Sequence, residues 1–158
     1  MTKPSRAYVQ THSTTIEHLL GRPLNSVEKR HAPNRVYIHG RMRIPLKRPR
    51  VAIVGTRIPT REGVKYAQEL VRNLCGQDVI IVSGLAKGID TAAHIEAIRS
   101  GGETVAVLGT PLNRFYPPEN KELQRLIMDE YLAVSQFSEN HRTQPRDFVV
   151  RNTAGRFS

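Results

Sequence analysis

Residues 79–93 read VIIVSGLAKGIDTAA, and this run limits what the chain can fold into more than any other. Val79, Ile80, Ile81 and Val82 are consecutive β-branched apolar residues without the alternation of a half-exposed strand. Such a run fits a parallel strand covered on both faces. The loop Ser83-Gly84-Leu85-Ala86-Lys87-Gly88 follows, and a helix is expected from about Asp90. Strand, glycine-containing loop and helix N-terminus together present backbone N–H groups and a partial positive charge to an anion. Gly84 and Gly88 permit close backbone approach or positive φ, and Lys87 adds a full charge at the mouth. The pattern predicts phosphate binding and leaves open whose phosphate.

The same unit recurs along the chain. Val51-Ala52-Ile53-Val54 predicts another buried strand, and Gly55-Thr56-Arg57-Ile58-Pro59-Thr60 its loop. A helix follows to about Cys75, with Val64, Ala67, Leu70, Val71 and Leu74 on the packed face and Gly76 as its C-cap. Beyond the central stretch, Ile89, Ala92, Ala93, Ala97 and Ile98 are the apolar positions of a helix stopped by Gly101-Gly102. Thr104–Leu108 is a third strand and 109–118 its loop. A fourth unit has Leu123, Leu126 and Ile127 on a helix and Leu132–Val134 in a strand. The expected fold class is α/β, Rossmann-like, with a mostly parallel sheet, helices on both faces and right-handed crossovers. Ligand loops then converge at the carboxyl ends of the strands.

Upstream, residues 1–12 show no periodicity. Ser13–Leu20 predicts a short helix capped by Ser13 or Thr14, and Ser26 caps a second. Val36-Tyr37-Ile38 reads as a strand closed by Gly40, and residues 41–50 as a basic connector containing Pro45 and Pro49. The expected division is a basic N-terminal extension over 1–45 and a shortened Rossmann-like domain over 46–158.

Charge narrows the partner. The net charge is +10 and the pI near 10.4, which points to a polyanion. Residues 1–50 hold eleven Lys and Arg against Glu17 and Glu28, so nearly all of the excess lies there. That segment is either a solvated face or an electrostatic contact to nucleic acid. No basic-then-apolar leader opens the sequence and no apolar run approaches about 18 residues. The expected setting is the cytoplasm, with no membrane contact. Cys75 is the single cysteine, which excludes an internal disulfide and a thiolate zinc cluster.

Several chemistries lack their motifs. The first loop has one glycine followed by Arg57 and Pro59, where a dinucleotide site needs G-x-G-x-x-G. Gly88 precedes Ile89-Asp90, where a P-loop needs Lys then Ser or Thr. Asp90 and His94 share a helix face, and they read as a helix-start acid and a polar-face residue rather than a catalytic pair. Ser83 has no identifiable base, and the six histidines show no metal-ligand spacing. The expectation is no enzyme, no cofactor and no metal.

RVAIVGTR (50–57), VSGLAKGIDTAAH (82–94), GGETVAVLGTPLNRFYPPEN (101–120) and PRDFVVRN (145–152) together resemble the DNA-processing protein A family, also called Smf. LNSVEKRHAPNRVYIHG (24–40) is similar to the lead-in of one branch of it. The resemblance covers about residues 24–152. It implies an extended Rossmann fold that binds single-stranded DNA, loads a RecA-type recombinase onto it, forms a homodimer and serves natural transformation. It further implies a DNA pocket lined by Gly55, Thr56, Arg57, by Ser83, Gly84, Leu85, Ala86, Lys87, Gly88, and by Arg151 and Asn152. Phe115, Tyr116 and Phe148 are either base-stacking faces or core, and Asn120 is a plausible helix cap. The family reads Arg-Asn-Arg where this chain has Arg151-Asn152-Thr153. After that the family continues with more strands and helices, often followed by a winged-helix-like domain, which carry most dimer and recombinase contacts; this sequence stops at Ser158. Two rival readings stay open: a nucleoside-monophosphate phosphoribohydrolase on a related fold, whose Pro-Gly-Gly-x-Gly-Thr run is absent here, and an inactive interaction module.

Overall fold

The computed structural model describes residues 10–148. The order of elements is β1 (His12–Thr14), α1 (Ile16–Leu20), α2 (Ser26–His31), β2 (Val36–Gly40), β3 (Arg50–Ala52), α3 (Arg61–Gly76), β4 (Ile80–Ser83), α4 (Ile89–Arg99), β5 (Thr104–Leu108), α5 (Lys121–Glu130) and β6 (Leu132–Ser135). They build one six-stranded sheet ordered β1-β2-β6-β5-β4-β3. Strands β3 to β6 are parallel, and β2 and β1 add antiparallel at the far side.

Alternate residues of each strand face opposite layers. Ile81, Ala106, Leu108 and Ala133 pack with Val71 of α3, Ala93 and Ala97 of α4 and Ile127 of α5. Ile80, Val82, Val105, Leu132 and Val134 face the other way and share a cluster with Ile16, Leu19, Leu20, Leu24, Val36, Ile38 and Leu46. The three crossover helices therefore cover one face and the N-terminal segment covers the other. That second cluster joins residues from both sides of the boundary expected at residue 45.

Local chemistry explains the N-terminal pieces. Residues 12–14 are drawn into a strand because β2 offers them a partner, so the first helix starts later than expected. Thr15, not Ser13 or Thr14, caps it through the His18 N–H. Asn25, not Ser26, caps α2 in a reciprocal arrangement with Glu28. Glu28 is gripped in turn by Arg22, and this guanidinium contact, with the Asn25 backbone N–H, holds its carboxyl down at about 2.

Three expectations fail, the first two for a common reason. Val51–Val54 is not a buried strand: β3 is the sheet edge, Ile53 alone is buried, and Val54 is 69% exposed. Leu70 of α3 and Leu126 of α5 belong to apolar stripes yet stand exposed. Gly76 is the last residue of α3, and the turn after it is made by Asp78 at φ 60°. Periodicity marks a face without telling whether a neighbour covers it.

Candidate nucleic-acid interface

The loops after β3, β4 and β5 meet at the carboxyl ends of the parallel strands, and their backbones are tied to one another. Asp90, buried in the first turn of α4, accepts from Gly84 N at 3.1 Å and from Gly55 N at 3.4 Å. Ile89 N donates to Thr56 O at 3.2 Å. A Cβ on Gly88, at φ 84°, would fall inside contact distance of the Thr56 carbonyl, and one on Gly55 would strike the Ile89 side chain at 2.7 Å. These two glycines let the first and second loops interlock. Ser83 Oγ donates to Ile53 O at 2.6 Å, joining the same two loops one level deeper.

The third loop is fastened to the second by Asn120. Its Nδ2 donates to Leu85 O at 2.9 Å and to Thr91 Oγ1 at 2.8 Å. No side-chain cap bond from Asn120 to α5 is present, so its work is cross-loop rather than capping. The carbonyl it holds belongs to Leu85, a fully buried residue at φ 62°. A leucine in that region costs on the order of 1 kcal/mol or more and persists only where its surroundings fix it.

A cleft of about 170 Å³ opens between these loops, lined by Arg57, Ala86 and Lys87 from the first two loops and by Gly109, Tyr116 and Phe148. Arg57 and Lys87 are exposed. Arg57 has no ion pair among the described residues. Lys87 Nζ lies 2.7 Å from Glu119 Oε1, and that ammonium is the main reason the Glu119 carboxyl sits below its ordinary range. Tyr116 and Phe148 rings lie 5.0 Å apart at a tilt of 44°, and the Phe148 ring packs where a Cβ on Gly109 would be. Of the three candidate aromatics, these two reach the cleft. Phe115 instead lies beneath Lys121 and Arg125, at 5.6 and 5.1 Å from its ring centre.

The residues expected at the site therefore divide by role. Gly55, Thr56, Arg57, Ala86 and Lys87 are at the surface or partly so, while Ser83, Gly84 and Leu85 are buried and shape the loops from below. Gly88 makes the loop contact just described. Arg151 and Asn152 lie outside the described residues. Sequence reasoning missed Gly109, the Lys87–Glu119 pair and the bridging carboxylate of Asp90. A first-turn acid in α4 was visible, but its acceptance of amides from two loops depends on how those loops fold.

His94 departs most from expectation. It is fully buried under the second loop, with Nδ1 2.7 Å from Thr104 Oγ1, and burial pushes its pKa down to about 4. The imidazole is neutral, lies in the core and is no polar-face residue. Among the described residues no group of three or more His, Cys, Asp or Glu could hold a metal ion, and no helix is long and apolar enough to cross a membrane.

Fold and site together define an α/β domain of Rossmann type, with two lysine- or arginine-bearing loops and an aromatic wall around one cleft. Residues 17–154 match the sequence pattern of the DNA recombination-mediator protein A family, and the chain belongs to that family. It is 41% identical over 121 residues to the DNA processing protein DprA of Streptococcus pneumoniae, covering 77% of this chain and 42% of that protein. It is 41% identical over 104 residues to protein Smf of Synechocystis, covering 66% and 26%. It thus spans less than half the length of these relatives. The X-ray structure of the pneumococcal protein superposes with a TM-score of 0.75 at 40% identity, over 80% of this chain and 44% of that one. The DNA processing protein A of Helicobacter pylori, described for its single-stranded DNA binding mode, shares the fold with a TM-score of 0.73 at 24% identity, over 90% of this chain and 63% of that one.

Proposed function

We propose that this chain binds single-stranded DNA in the cleft at the carboxyl ends of β3 to β5, as the DNA-holding part of a recombination mediator. Arg57 and Lys87 take successive backbone phosphates, and Tyr116 and Phe148 offer ring faces to the bases between them. The observation that carries this reading is that two exposed cations and two aromatic rings line the same cleft. Phosphates with sequence-tolerant stacking are the two needs of a single strand, and a duplex would bury its base faces away from the rings. Family membership supports the mediator role, with a RecA-type recombinase as the protein that receives the strand and a second copy of the chain as a further partner.

Fluorescence-anisotropy titrations with single- and double-stranded oligonucleotides across a salt series test the reading, beside thermal shifts with NAD, ATP and nucleoside monophosphates. The expected result is saturable, salt-dependent binding that favours the single strand. Saturable micromolar binding of a nucleotide with no DNA binding would overturn it.

A further inference from the structure

The basic connector, residues 41–50, lies at the opposite end of the sheet from the cleft. Arg41 N and Met42 N donate to Tyr131 O just before β6, Leu46 N donates to Leu19 O, and Ile80 N at the start of β4 donates to Pro49 O. The connector is therefore pinned at the amino ends of β6 and β4 and, between them, to α1. Between it and the sheet lies an open groove of about 540 Å³, floored by Leu46 and Ile80 and rimmed by Arg41, Arg43, Lys47 and Arg48.

Acidic partners satisfy part of this charge. Arg48 is held between Asp78 and Glu103, and Arg41 stands 3.4 Å from Glu130. Arg43 and Lys47 are exposed and have no ion pair among the described residues. Behind them, Arg50 Nη1 donates to Leu46 O at 2.6 Å while its buried Nε has no partner. Burial, and then the charge of nearby Arg22, push the Arg50 pKa down. Cations on a mobile loop would spread apart in water, but here the backbone that carries them is pinned and they line one groove. A polyanion laid against such a surface relieves their repulsion and releases its own counterions.

We infer that the groove rimmed by Arg43 and Lys47 is a second phosphate-binding surface, engaged by a single strand too long for the cleft alone; this rests on the single-stranded DNA reading of the cleft. The two sites flank one element. Arg50 opens β3 at its amino end, Arg57 follows it at its carboxyl end, and the outer edge of β3 pairs with no strand among the described residues. β5, which lies beyond β4 in the same parallel set and is five residues long, rises about 17 Å. At the stacked, duplex-like rise of about 3.4 Å per nucleotide, bridging that length takes roughly five nucleotides beyond those in the cleft, and fewer where the strand is stretched.

The test compares an oligothymidine of about three nucleotides, which cannot span that distance, with one of about fifteen, which can. The parent, Arg43→Ser/Lys47→Ser and Arg57→Ser/Lys87→Ser proteins are titrated with both, after melting curves confirm folding. The expected result for Arg43→Ser/Lys47→Ser is unchanged affinity for the short oligomer, weaker binding of the long one and a salt slope shallower by about 1.4, two contacts at about 0.7 each. Unchanged binding of both lengths, or equal loss for both, overturns the second surface. Failure of the cleft reading shows differently, as Arg57→Ser/Lys87→Ser binding the short oligomer like the parent. If no protein binds either oligomer, both readings fall.

Discussion

Lys87 and Glu119 make the cleft testable through its own counterion. The pair is short, 2.7 Å, but wet, with the two side chains 56% and 60% exposed. An exposed pair of this kind is weak and exchanges readily, so a phosphate competes with Glu119 for the same ammonium. Lys87→Ala should then weaken single-stranded DNA binding across all sequences and reduce the magnitude of the log K against log salt slope by about 0.7. Glu119→Gln should tighten binding at every salt concentration, because Lys87 no longer has to give up a carboxylate, and the gain should shrink in the Lys87→Ala background. The sign with pH follows from the same exchange. The lowered Glu119 pKa returns toward 4.5 once Lys87 turns to DNA, so binding takes up protons and parent affinity rises as pH falls through and below that value, while Glu119→Gln lacks this component. Anisotropy titrations over salt and pH read all of these effects. Glu119→Gln binding more weakly than the parent, or Lys87→Ala keeping the full salt slope, would refute the competition.

Three further outcomes concern the frame beneath the cleft. Gly88→Ala places a Cβ against the Thr56 carbonyl at a positive φ, and it should cost about 1–3 kcal/mol, lower the melting temperature by roughly 5 °C and weaken DNA binding; an unchanged melting curve would contradict the interlock. His94, neutral with a pKa near 4 against about 6.5 unfolded, takes a proton more readily in the unfolded chain, so stability falls as pH drops from about 6.5 to 4. At 1.36 kcal/mol per unit the loss is about 3 kcal/mol, and urea unfolding across that range should be flatter for His94→Asn. Asn120→Ala leaves the Leu85 carbonyl without its side-chain donor and should cost about 1–3 kcal/mol, with DNA affinity falling further than for an exposed control such as Glu122→Ala.

The parallel units were legible because Ile80–Val82 and Thr104–Leu108 are buried on both faces, and a strand so placed has no room for alternation. Val51–Val54 is nearly as β-branched, with Ala52 the exception, but it sits at the edge with one neighbour. Composition records what a residue tolerates, not how many partners it has. The same limit hid His94, since an i, i+4 spacing from Asp90 put both on one face and the buried face turned out to be that one. At the site, Arg57 and Lys87 were readable because each follows a strand within its own unit. Gly109 and Glu119 were not, because one lines the cleft and the other meets Lys87 only through the third loop, which the Asn120 side chain ties to the second.

The loop amides bear on how the cleft attracts an anion. A strand–loop–helix turn is expected to offer free N–H groups and the helix dipole, yet here Gly84 N is given to Asp90, Ile89 N to Thr56 O and Thr91 N to Ala86 O. The carboxylate of Asp90 also sits in the first turn of α4, where it offsets the partial positive charge of that helix end. With those three amides taken, the proposed attraction rests mainly on the exposed side chains of Arg57 and Lys87. Two solvated point charges hold one free phosphate poorly, because nothing desolvates it, but they hold a polyanion by releasing its counterions. In the proposed mode the same chemistry disfavours a mononucleotide and suits a strand, whose affinity would accumulate over successive phosphates and whose bases would rest on Tyr116 and Phe148 in any sequence.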